Sequence, residues 1–226
     1  MEAIASASGP VEKTTAWNQV VVGYSLAAIG LVALLATDGA SGIPTVVNIA
    51  TACLIAIGLL VPVAGMLRLR RALDPVNRVA RRGLAMQCLG LVVLLLGVVL
   101  LSVSTSLPVL FASGVLIVIS ATLALAGALL LRYHFADIGA SNSRGVGYLI
   151  VGTALIFAGV GVILWSSVAF YFLLSDLGNT VFTDVGASIS ACGCVIAAYA
   201  FFVIPYSKLT ETAGAAVPTK ARGKRQ

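Results

Sequence analysis

Charge is scarce in this chain. Lys, Arg, Asp and Glu make up 10% of its 226 residues, where a soluble protein carries about a quarter. Apolar residues reach 60% and the mean hydropathy is +1.08. No soluble fold has interior enough for that much apolar surface, so lipid must be the solvent for most of it. Polar–apolar alternation is also missing. Leu91 to Leu101 is apolar throughout, which excludes the period-two strands of a membrane barrel and leaves helices.

Histidine is nearly absent, and His134 is the single one. One His excludes bis-histidine haem ligation, a His-based zinc site or a His pair for proton relay within one chain. At the inner end of an apolar run, beside Arg132 and Tyr133, it reads as a solvated interface residue. No glycine-rich Walker loop precedes a Lys. No central Lys could carry a Schiff base, and no serine–histidine or paired-aspartate arrangement falls at membrane depth. The expectation is therefore no catalytic residue, no cofactor and no metal, and a protein that is not an enzyme. The four cysteines, Cys53, Cys88, Cys192 and Cys194, all lie inside apolar runs, which argues against an extracellular disulfide framework. Cys192 and Cys194 diverge by about 200° on a helix, so they read as packing residues.

What is present is apolar length. Runs near 18–37, 43–67, 83–103, 107–131, 146–174 and 181–204 can each cross a hydrocarbon core of roughly 30 Å. Threading them alternately puts all fourteen Lys and Arg residues on one side: Lys13, Arg68 to Arg82, Arg132, Arg144 and the tail from Lys208 to Arg225. The opposite loops carry Asp38, Asp176 and Asp184 and no basic residue. This positive-inside pattern predicts an all-α, polytopic six-transmembrane-helix bundle, N-in and C-in, built from three helical hairpins. Residues 1–17 form a polar N-terminal segment. The membrane domain spans 18–204, with helices at about 18–37, 43–67, 75–103, 107–131, 145–174 and 181–204, and 205–226 is a basic cytoplasmic tail. The first run is too long, and its flank too poor in basic residues, for a secretory signal. Asp74-Pro75 suits an N-cap followed by a first helical residue, so the third helix is expected to start at Pro75.

Glycines recur at every seventh residue on the odd-numbered helices: Gly23 and Gly30; Gly83, Gly90 and Gly97; Gly145, Gly152 and Gly159. Such stripes let neighbouring helices approach closely, which carries association in lipid. Hairpin starts about sixty residues apart fit descent from a repeated two-helix unit, although Gly58/Gly65 and Gly186/Gly193 show the same spacing on even helices. Three hairpins with cytoplasmic ends and no large domain are similar to the layout of the HdeD-like membrane proteins. That resemblance covers architecture and implies no residue role or activity.

Buried polarity is sparse. Asn48, Thr51, Gln87, Ser120, Thr122, Ser188 and Ser190 are the polar set expected to be buried within the runs. Gln87 is the best candidate for a functional group, with an interhelical hydrogen bond as its plainer role. Asp184 is the one acid near an apolar run and is expected in the first turn of the sixth helix, favoured there by the helix dipole; an outer-gate carboxylate is the alternative. Asn48, Gln87, Ser120, Ser188 and Asp184 together are the candidates for a polar pathway. Two interaction surfaces remain. Arg68, Arg70, Arg71, Arg78, Arg81 and Arg82 crowd one inner turn and are candidates for anionic-lipid or partner binding, although topology alone would also put arginines there. The fifth run, about 43 Å long as a helix, ends in Trp165, Phe170, Tyr171 and Phe172, an aromatic belt or an outer docking surface.

The expected function is a non-enzymatic accessory or assembly subunit, or a lipid-interacting scaffold, of the plasma membrane. Its partners would be membrane lipids with anionic headgroups on the cytoplasmic side, and a membrane-protein partner or a second copy. Nucleic acid is not expected, because the net charge of +6 is spread as topology demands. The alternative is a small channel or carrier for a neutral or weakly polar solute.

Overall fold

The computed structural model describes residues 10–37, 45–73, 76–103, 106–137, 143–173 and 176–204. They form six helices: α1 (Pro10–Thr37), α2 (Thr45–Ala72), α3 (Arg78–Val103), α4 (Leu107–Asp137), α5 (Ser143–Leu173) and α6 (Asp176–Val203). No strand occurs among the described residues. All six helices are long and apolar enough to cross a membrane. The protein is an all-α helical bundle of membrane-protein type.

Three helix starts differ most from the sequence expectation, each for a local reason, and α2 and α4 run on to Ala72 and Asp137. α1 begins at Pro10, where a proline loses no hydrogen bond, and Ala16 and Trp17 of the supposed polar segment are buried. α3 begins at Arg78 rather than Pro75. Asn77 acts as its cap residue, its carbonyl accepting the Arg81 N–H at 3.1 Å, while Asp74 and Pro75 lie outside the described residues. α6 begins at Asp176, so a polar opening stretch precedes the apolar run that hydropathy detects.

The helices form a ring. Each hairpin, α1–α2, α3–α4 and α5–α6, is a tight antiparallel pair, and α1–α6, α4–α5 and α2–α3 close the circle. The α2–α3 junction is the sparsest. The glycine stripes lie inside the hairpins. A Cβ on Gly90 would stand 2.9 Å from the Ala124 Cβ, the Ala124 nitrogen and the Ser120 carbonyl oxygen of α4. Gly83 abuts Gly127 and Leu131, and Gly97 abuts Ile117. In the same way Gly152 and Gly159 meet Ala197 and Ser190 of α6, Gly145 meets Ile204 just beyond its end, and Gly30 meets Ile55 of α2. Gly23 leaves room for the ring of Pro62, which stands inside α2. Since lipid tails are as apolar as leucine, this close approach holds each pair.

Larger side chains join the hairpins. Trp17 of α1 donates its indole N–H to the Phe201 carbonyl of α6, and the two rings meet edge to face with centroids 5.2 Å apart. Tyr24 stacks on the same Phe201. All three side chains are buried.

Candidate functional site

The arginine-bearing helix ends form a cleft between α2 and α3. On α3, Arg78, Arg81, Arg82 and Ala85 stand at positions i, i+3, i+4 and i+7 and so share one helix face. Arg70, in the last turn of α2, faces them, and these five residues line a space of about 370 Å³. Ala85 adds only a small side chain to that lining. Among the described residues no carboxylate pairs with these four arginines. The Arg81 Nε is buried and has no hydrogen-bond partner there. Of the other clustered arginines, Arg68 turns to α1 and donates to the Gln19 Oε1 at 3.2 Å. Arg71 is exposed and lies outside the cleft.

A second space lies within the ring, in the half of the bundle away from the arginines. It measures about 330 Å³ and takes its walls from α1, α2, α3, α5 and α6, with Ala27, Ala56, Leu94, Val160, Ser190 and Cys194 among them. Among the described residues that line it, Ser190 and Cys194 are the only polar side chains, and the Ser190 hydroxyl already donates to the Ile156 carbonyl at 3.2 Å. Water needs two to four polar partners to settle in a cavity, so this chamber is dry. Two of its lining residues, Ala52 on α2 and Val99 on α3, are exposed. They mark a sideways opening where the two helices part. Nearer the arginines the same helices touch, the Cys88 thiol donating to the Val63 carbonyl at 3.7 Å. A wider apolar groove of about 790 Å³ runs outside the ring along α4 and α5, past Phe111, Val115, Val118 and Leu164.

The polar-pathway candidates do not converge. Gln87 is fully buried and donates from Nε2 to the Ala124 carbonyl at 2.9 Å, bonding α3 to α4, while its Oε1 has no partner among the described residues. Ser120 donates to the Ile117 carbonyl of its own helix at 2.8 Å. Ser188 is exposed on the outside of the bundle, because it lies on the face of α6 opposite its packing stripe. The side chain of Asn48 lies outside the described residues. Asp184 requires a correction. With α6 starting at Asp176, it stands in the third turn, beyond the reach of the helix dipole. It is half-buried, and its Oδ1 is buried without a partner among the described residues. The adjacent Thr183 pairs with Ser166 of α5 at 3.3 Å.

His134 differs as well. It is buried, with its ring edge-to-face against Phe135 at 5.7 Å, because α4 continues to Asp137 and carries its last turn along the bundle. Trp165 is 62% exposed, whereas the side chains of Phe170, Tyr171 and Phe172 lie outside the described residues. Cys192 is exposed and Cys194 buried, as their angular separation requires. No group of three potential metal ligands occurs among the described residues.

Sequence reasoning missed the chamber and the Trp17–Tyr24–Phe201 closure. The facing alanines Ala27 and Ala56 were the available signal for the chamber, but small residues also mark tight packing. The chain matches no protein-family model, no curated protein and no solved structure, so the likeness to the HdeD-like proteins stays one of layout.

Proposed function

We propose that the protein is a non-catalytic, multi-pass protein of the cell membrane that works as a lipid-interacting scaffold or accessory subunit. The observation that carries this reading is the dry chamber, opened sideways between α2 and α3 at Ala52 and Val99. An empty apolar space forfeits dispersion contacts with its walls, and the surrounding solvent is hydrocarbon. At roughly twice the ~150 Å³ of a cavity known to admit benzene, it suits part of a lipid chain.

Lipid extraction from the chain purified in a mild non-ionic detergent tests the reading. The wild type should retain at least one lipid per chain. Ala56→Phe, which fills the chamber, should retain about one fewer, whereas Ala112→Phe on the exposed face of α4 should match the wild type. A wild-type preparation without lipid, or equal retention by both variants, would remove the support.

One observation favours the second reading, a channel or carrier for a neutral solute: the half-buried Asp184 with an unpartnered oxygen. Acids within membrane spans mark solute pathways. Glycerol flux into proteoliposomes above the protein-free rate, lost in Asp184→Asn, would support the carrier; flux at background would leave the scaffold.

A further inference from the structure

We propose that the cleft between α2 and α3 is a binding site for a phosphate group carrying two negative charges, such as the phosphomonoester headgroup of an anionic phospholipid. The inference deepens the lipid-interacting reading and rests on it, but on different residues from the chamber.

Topology explains why arginines lie at this end of the molecule, not why four of them converge. Arg71 and Arg132 show what topology alone produces: charges that do not line the cleft, although Arg70, Arg78 and Arg82 are exposed as they are. The cleft arginines instead occupy one face of α3 and meet Arg70 across a gap of about 370 Å³. Arg78 and Arg82 are four residues apart on a helix, a like-charge arrangement that is unfavourable when nothing compensates it. The N-terminal end of α3 adds its positive dipole to theirs. An anion relieves both, and the first N–H groups of a helix favour it further.

The shape of the demand points to phosphate. A guanidinium offers planar, paired donors that match two oxygens of one group, and the Arg81 Nε is buried with no acceptor. Position along the helix points to a headgroup, since Arg78 opens the stretch of α3 that is long and apolar enough to cross a membrane. A space of this size holds a headgroup and is short for an acidic peptide segment.

The full chain carrying Ala56→Phe, so that chamber lipid is not counted, is titrated in neutral detergent and read by native mass spectrometry. The probes are dioleoyl phosphatidic acid, dioleoyl phosphatidylglycerol, dioleoyl phosphatidylcholine and inorganic phosphate. One phosphatidic acid should bind per chain, phosphatidylglycerol more weakly, and phosphatidylcholine at background. Removing Arg78 and Arg82 as glutamines should weaken phosphatidic acid by about ten-fold or more. Removing the same charge at Arg71 and Arg132 should change it by less than about two-fold. Arg81→Lys keeps the charge and loses the planar fork, so it should weaken binding while the thermal midpoint stays near the parent. This covers the case in which the double variant does not fold.

Displacement of the lipid by millimolar phosphate would assign the site to the free anion. A lipid that resists displacement assigns it to the headgroup. Equal losses from both double variants would reduce the cleft to diffuse surface charge and overturn the site, as would no loss from either. A glutamate-rich peptide that outcompetes phosphatidic acid would overturn it in favour of an acidic partner. Any of these failures leaves the Ala56→Phe lipid-retention result untouched, so the scaffold reading stands or falls separately.

Discussion

Gly90 and Gly161 have the same chemistry and opposite surroundings. A methyl group on Gly90 would press on the backbone of α4, whereas one on Gly161 meets nothing within 4 Å. Gly90→Ala should therefore force α3 and α4 apart and cost about 1–3 kcal/mol, the range for overpacking. Gly161→Ala should be neutral or should gain up to about 1 kcal/mol from helix propensity. Thermal unfolding in detergent compares the two, and equal midpoints would remove the case for close approach. Gln87 makes a similar point about polarity. Its single interhelical bond is of a kind worth about 0.6 kcal/mol, and its second amide atom is unpaired. Gln87→Leu removes the bond and the unpaired oxygen together. Stability should change by less than about 1 kcal/mol; a much larger loss, or a functional defect without one, would show that the amide does more than join helices.

At the scale of elements, the hairpins and the seams between them use different means. Within hairpins, glycine lets backbone meet backbone; between the first and last helices, aromatic bulk fills the gap. The ring closure therefore depends on few residues. Trp17→Ala should cost about 3–5 kcal/mol, as large-to-small changes in packed interiors do, while Trp165→Ala, at an exposed position of α5, should leave the melting temperature nearly unchanged. The α2–α3 seam is the opposite case. It is pinned at Cys88 and Val63, with the arginine cleft at one end and the chamber mouth towards the other, so both candidate sites share the sparsest junction of the ring.

For the whole molecule, the confinement of basic residues to one end predicts orientation. Reporters fused in the turns near Asp38, Ser104 and Asp176 should lie in the compartment opposite to one fused at the C-terminal tail. A shared compartment for any of them would break the alternating threading. The six elements were legible because hydrophobic length and charge asymmetry are one-dimensional properties. Their ends were less so. Pro10–Ala16 and Asp176–Thr180 are helical yet too polar for hydropathy to detect, which hid the first five residues of α6 and misassigned Asp184 to its first turn.

The sequence by itself determined the solvent, the helix count, the expected orientation and the tight glycine faces, since each follows from composition or from spacing along one helix. It also put six arginines in one neighbourhood. Only the tertiary structure decided which four of them share a cleft, that Arg68 turns away to Gln19, that Ser188 faces outward and that His134 faces inward. It alone decided that the middle of the ring is hollow and dry. The physical reason is the same throughout. Periodicity assigns a residue to a face of its own helix, whereas the rotation and separation of neighbouring helices fix what that face meets, and these depend on packing between residues remote in the chain.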